Sequence, residues 1–160
     1  MVIAGIDCGK AKIAVARLDS DTQGLQLAAY ESARASRCEQ LNDLAAMAWR
    51  LTRGCQQIYI EEPLIGRAVR SSLYVAQTAG AVGSMMTAPA YFISNTAWKK
   101  SVVGKGNANK KAVSSWINSK SAIYARQCDG DQDLIDATCI ALYGAGVQEV
   151  AAGLLDNRHE

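Results

Sequence analysis

The chain has one histidine, two prolines and one phenylalanine in 160 residues, and none of its cysteines forms a C-x-x-C pair. The histidine, His159, lies next to the carboxyl end, where chains fray, so no imidazole is in place for a triad or for general acid–base catalysis. The five cysteines, Cys8, Cys38, Cys55, Cys128 and Cys139, are odd in number and scattered. That excludes a disulfide framework and a thiolate zinc site, and leaves reduced thiols packed as small apolar groups. No apolar run reaches membrane-spanning length, and the apolar stretch after Met1 lacks a basic leader region and stops at Asp7. The expected location is cytoplasmic, with no membrane partner. Any catalysis falls to carboxylates, lysines or a bound ion.

The most telling absence is of one sign of charge. After Glu61 and Glu62 the next carboxylate is Asp129, and the interval carries Arg67, Arg70, Lys99, Lys100, Lys105, Lys110, Lys111, Lys120 and Arg126. A net charge of only +2 conceals this segregation. A basic block bounded by acid clusters suits a protein that grips a polyanion on one surface and acts on it with carboxylates. Isolated lysines are ordinary solvated surface, but a run without interspersed acids points to binding. Lys120 and Arg126, at the far end of the block, read as ordinary surface charge.

An apolar content of 49% supports one compact domain, expected over 1–150 with 151–160 as a tail. Val2 to Asp7, Lys12 to Leu18 and Leu25 to Tyr30 read as three sequential strands joined by short polar turns, an antiparallel meander. Ser36 and Glu39 form a capping box ahead of a helical face of Leu41, Leu44, Ala45, Ala48 and Leu51, with Gly54 as the stop. Gln57 to Glu61 is a fourth strand, halted by Pro63. A helix over 68–87 carries Ala76, Ala79, Gly80 and Gly83 as a smooth stripe, suited to close approach by the sheet or by a second subunit. Ala90 to Ser94 is a fifth strand. A short helix over 96–102, a helix capped by Asn107 or Asn109 and a last helix from about Asp131 to Gly144 complete the order. Trp116 belongs to a core stripe with Val113 and Ile117. Trp98, beside Lys99, is open to either a packing or a stacking role. The class is α/β with a mixed five-stranded sheet, three antiparallel strands then parallel ones, flanked by helices.

Asp7 ends the first strand, and Glu61 or Glu62 ends the fourth. If those strands are parallel neighbours, their acids meet at one sheet edge, where open α/β folds place their sites. Asp133 and Asp136, three apart on the last helix, project from one face. Asp129, Asp131 and Asp133 also suit the ordinary role of acids at a helix start. Asp136 is harder to explain that way, because Ile135, Ala137, Cys139 and Ile140 surround it and a buried carboxylate is costly without a partner. Clustered carboxylates repel unless cations join them, and hard oxygens without histidine or thiolate favour Mg²⁺, with Mn²⁺ as a substitute. Two such ions about 4 Å apart are the arrangement used for phosphodiester hydrolysis. Periodicity does not choose between Glu61 and Glu62.

Gly5-Ile6-Asp7-Cys8-Gly9, Ile58-Tyr59-Ile60-Glu61-Glu62, Val102-Val103-Gly104-Lys105-Gly106 with Lys110, and Asp133-Leu134-Ile135-Asp136-Ala137 occur in one order over essentially the whole chain. In these motifs the sequence resembles the RuvC-type Holliday junction resolvases of the RNase H-like nuclease superfamily. The resemblance implies an RNase H-like fold and a homodimeric, Mg²⁺-dependent endonuclease that nicks four-way DNA junctions or related branched DNA, with two ions in each site. It implies Asp7, Glu61, Asp133 and Asp136 as metal-binding acids, so that Glu61 is preferred over Glu62, and Lys99 and Lys110 as catalytic lysines at the phosphate near the cut. Arg67, Arg70, Lys100, Lys105 and Lys111 would extend the DNA surface. The sequence departs from the family pattern where an aromatic wedge follows the strand glutamate, since Pro63-Leu64-Ile65 stands there and Leu64 is left as an apolar wedge. The proline after the first aspartate is replaced by Cys8.

Two other classes compete: a non-catalytic branched-DNA-binding protein, and an actin- or sugar-kinase-like nucleotide-binding protein suggested by Asp7-Cys8-Gly9. The second usually needs two domains, for which the chain is short.

Overall fold

A computed structural model describes residues 1–64, 66 and 68–146. Arg67 and the expected tail at 151–160 lie outside the described residues. The sheet has five strands in the order β3-β2-β1-β4-β5. These are β1 (Val2–Cys8), β2 (Lys12–Asp19), β3 (Leu25–Glu31), β4 (Gln57–Glu61) and β5 (Ala90–Ile93). The first three pair antiparallel as a meander, whereas β4 lies parallel to β1 and β5 parallel to β4. The mixed sheet expected from the sequence is therefore present.

Helices cover both faces. On one, α1 (Arg37–Leu51) and α2 (Val69–Ser84) enclose a core built on Ala4, Ile6, Ile13, Val15, Ile58 and Ile60. On the other, α6 (Gln132–Gly144) lies across β1, β2 and β4 and shares its core with α3 (Asn95–Trp98), α4 (Lys110–Lys120) and α5 (Ala122–Cys128). Ser36 caps α1 by accepting from the Glu39 amide at 3.2 Å. Beyond α3 the chain continues as a π-helical turn, Lys99–Val103, which ends at Gly104 with φ 82°. Helix α5 was not expected: Ser121 leaves the helical conformation (φ −152°), and its hydroxyl caps a new helix at Tyr124, 3.2 Å away.

Alternation along β1 sorts its side chains between the two cores. Ala4, Ile6 and Cys8 face α1 and α2. Gly5 and Asp7 therefore face α6. At Gly5 the helix backbone lies directly on the strand: a methyl group there would collide with the Ala137 carbonyl oxygen and the Ala141 nitrogen. Gly144 meets the Tyr59 ring and Ile3 in the same way further along α6. These contacts set the height at which α6, and so Asp133 and Asp136, crosses the strands.

The small-residue stripe on α2 divides. Ala79 is buried, and Gly83 abuts Phe92, whose Cζ would lie 2.9 Å from an added Cβ. Gly80 points to open space. Half of the stripe, Ala79 and Gly83, thus packs within the chain's own core, and Gly80 is left outside it. Trp98 is fully buried, which assigns it to the core.

Gly5→Ala is expected to destabilise the fold by about 3 kcal/mol, because neither backbone can retreat without unpacking a core layer. Gly80→Ala should instead stabilise it by about 0.5–1 kcal/mol through helix propensity alone. Urea unfolding of both variants checks the contrast.

A carboxylate cluster as candidate active site

The parallel pairing of β1 with β4 runs through Ile6 opposite Ile60, so Asp7 and Glu61 leave the ends of neighbouring strands together. Glu61 shares strand parity with Tyr59, which packs against the α6-side core, whereas Ile58 and Ile60 face the other way. Asp7 and Glu61 are thus on the face that α6 covers. Glu62 falls on the opposite parity and is exposed.

The helix supplies the other two acids. Asp131 serves as its cap, accepting from the amides of Asp133 at 2.9 Å and Leu134 at 3.3 Å. That capping role, one of those open to the aspartates before α6, falls to Asp131 and leaves the carboxylates of Asp133 and Asp136 free of it. Asp7 lies within electrostatic reach of the other three acids. Burial pushes the Asp7 carboxyl from its ordinary 3.8 to about 8, and the negative charges of Glu61, Asp136 and Asp133 add to the shift while Lys12 opposes it. Asp136 is pushed up to about 6, first by burial and also by Glu61, against the Gln132 hydrogen bond and the positive charges of Lys99 and Lys110. Lys99 is half-buried with its ammonium 5.3 Å from the centre of the Trp98 ring. Lys110 opens α4 just beyond its Asn109 cap. The two lysines therefore stand within electrostatic reach of the acids.

No three histidine, cysteine, aspartate or glutamate side chains among the described residues are arranged to hold an ion as they stand. Three of the four acids have partners within the chain. Lys12 forms an ion pair with Asp133, the Asn95 amide donates to Glu61, and the Gln132 amide donates to Asp136 at 2.7 Å. Each of these acids is drawn toward a different neighbour, which relieves part of their repulsion. The donor set nevertheless fits a hard divalent cation: four carboxylates, no imidazole, no thiolate, and at the centre an aspartate whose ionised form is penalised for want of positive charge. Cys8 beside Asp7 is no ligand candidate, since burial pushes its thiol far up.

Beside Asp7 and Glu61, toward α2, opens a cleft of about 230 Å³ that is lined also by Glu62, Pro63, Leu64, Ser71 and Val75, and not by Asp133 or Asp136. Leu64 at its rim is 68% exposed, unusual for a leucine and available for contact. Lys100, Lys105, Lys111 and Arg70 are exposed. The loop that carries Lys105 folds back on α3, where a Cβ at Gly106 would lie 2.8 Å from the Thr96 methyl.

Sequence reasoning missed several neighbours of the site. Lys12, Asn95 and Gln132 each engage an acid, yet a strand-end lysine and two amides carry no signal without the fold. It also missed Lys10 and Arg37, which with Arg70 surround the Tyr74 ring at 4.8, 5.0 and 6.0 Å. Arg37 is anchored by neutral acceptors, among them Thr78 Oγ1 at 2.9 Å and Gln77 Oε1 at 3.1 Å.

A mixed sheet whose parallel edge gathers acids from two strands and a flanking helix defines an α/β protein of the RNase H-like nuclease class. The model of the crossover junction endodeoxyribonuclease RuvC family matches residues 3–143, and the chain belongs to that family, whose members are hydrolases of DNA phosphodiester bonds that depend on divalent cations. No curated relative matches the sequence. The structure is similar to that of Thermus thermophilus RuvC, with 22% identity, a TM-score of 0.72 and coverage of 91% of this chain and 94% of the other. It is similar as well to T. thermophilus RuvC in complex with Holliday junction substrate, with 20% identity, a TM-score of 0.73 and coverage of 96% of each chain. Among the described residues no helix is long and apolar enough to cross a membrane.

The raised Asp7 carboxyl has a consequence for stability. It holds a proton in the folded state up to about pH 8 but loses it near 3.8 when unfolded, so without metal its burden is absent in acid and grows as pH rises between those values. Asp7→Asn removes the burden, and in a chelator should raise the unfolding free energy by about 1–4 kcal/mol at pH 9, with little gain at pH 4. Thermal melts across that range measure it.

Proposed function

We propose that this chain is a structure-selective endonuclease that nicks four-way DNA junctions or related branched DNA, with Asp7, Glu61, Asp133 and Asp136 holding Mg²⁺, two ions per site, and Mn²⁺ as a substitute. The observation that carries the reading is the electrostatic coupling of Asp7 to the three other acids at the end of β1, beside two lysines. When bound, such ions would activate a water and offset charge on the phosphate, work for which the described residues offer no imidazole.

The chain's own residues supply position and field. Asp7 and Glu61 are fixed by the sheet register and Asp133 and Asp136 by a helix seated flush on that sheet, so the donors come from rigid elements. Lys99 and Lys110 place positive charge at the side of Asp136, where the phosphate being cut would carry its developing charge. Lys100, Lys105, Lys111, Arg70 and, by sequence, Arg67 extend the contact with the backbone of the arms. Leu64, exposed at the rim of the cleft, is suited to enter between base pairs at the branch point as an apolar wedge. A homodimer would present one such site to each of two symmetric strands.

The test is a labelled synthetic four-way junction, a flap and a linear duplex incubated with protein and Mg²⁺. Nicks confined to the junction and symmetric about its centre are expected. Asp7→Asn should abolish cutting while leaving junction affinity intact or improved. Mg²⁺-dependent cutting retained by pure Asp7→Asn protein contradicts the assignment.

Lys110→Ala should slow the cutting step by about 10²-fold at saturating protein, in the range of losing one charge-stabilising group. Single-turnover kinetics read this directly, and an unchanged rate removes Lys110 from the site.

A further inference from the structure

Among the described residues, one member of the acid cluster is paired directly with a cation of the chain. Lys12 opens β2 on the same face as Ala14 and Ala16, the face covered by α6, and its ammonium meets the Asp133 carboxylate. The arrangement is built into the turn. Gly9 donates its N–H to the Lys12 carbonyl at 2.8 Å. The lysine stem then lies over Gly9, so that an added Cβ would stand 2.8 Å from Lys12 Cγ and 3.5 Å from Cε. Asp131 and Asp7 pull on the same ammonium from further off. Lys99 and Lys110 differ: they act on Asp136 through space and form no ion pair among the described residues.

We infer that Lys12 is a tethered counter-cation at the Asp133 side of the cluster, and that it competes there with the divalent ion on which the proposed nuclease depends. The inference rests on the metal-dependent reading given above. The argument is one of charge. A lysine in contact with a carboxylate takes up part of the negative potential that would attract an incoming dication, and its own positive charge repels that dication at short range. Without a cation the lysine offsets repulsion among the acids, so it stabilises the empty cluster and weakens the loaded one. Lys12 is thus a positioning residue acting through Asp133.

Calorimetric titration of Mn²⁺ into the full chain tests this for the wild type, Lys12→Met, Lys12→Arg and Asp133→Asn, and for Lys12→Met combined with Asp133→Asn. Lys12→Met keeps the apolar stem over Gly9 and removes only the charge. It should bind Mn²⁺ on the order of tenfold more tightly than the wild type and melt at a lower temperature in chelator. Lys12→Arg, which restores the charge, should return affinity toward the wild-type value. In the Asp133→Asn background, Lys12→Met should have little effect on affinity, a coupling that a merely structural lysine would not produce. Unchanged or weaker Mn²⁺ binding by Lys12→Met overturns the inference and leaves the metal-dependent reading standing. If neither wild type nor Lys12→Met binds Mn²⁺, both are overturned. Binding gained only in Lys12→Met supports the competition.

Discussion

The contact between Gly5 and the backbone of α6 is the constraint on which the site depends. Two of the side chains that matter project from elements meeting there: Asp7 is two residues along the same strand, and Asp136 precedes Ala137 on the helix. A side chain at position 5 would lift the helix by the thickness of a methyl group. Asp133 and Asp136 would then stand away from the strand ends, and acids from sheet and helix would no longer share one field. The parallel register of β1 and β4 does the equivalent work within the sheet by bringing Glu61 to Asp7.

Gathering the acids makes the site costly to the fold that carries it. Burial and mutual repulsion hold Asp7 far from the value of a free carboxyl, and a lysine and two amides are recruited around the other three. The surrounding cores compensate: α6 is buried from Ala137 through Leu142, and Ile6, Ile58 and Ile60 pack beneath the opposite face. Such local strain beside a rigid scaffold is what a preorganised charged site requires.

Much of this was legible in the sequence. Strong caps and β-branched runs yielded the fold class and every element but α5, because those signals are local. Asp136 was conspicuous for a local reason as well, as one carboxylate in an apolar helix. The choice between Glu61 and Glu62 came only from the family resemblance and not from periodicity, because a central strand buried on both sides has no polar face: Ile58, Tyr59 and Ile60 all belong to cores, and parity becomes readable only when each core is known. Lys12 looked like any strand-end lysine until the helix placed Asp133 beside it. Helix α5 escaped because a single serine both ends one helix and begins the next. The smooth stripe on α2, suited by sequence to the sheet or to a second subunit, meets the chain's own Phe92 and Ile60 at Gly83.

The acids come from strands and a long helix, whereas Leu64 and Lys105 sit on connecting segments that contribute nothing to the height of α6 or the strand register. The proposed chemistry thus rests on the sheet and α6, while part of the proposed DNA contact rests on the segments that join them. On the proposed reading, a change in the turn after the π-helical stretch would alter contact with DNA without altering the β1–β4 register that brings Asp7 and Glu61 together.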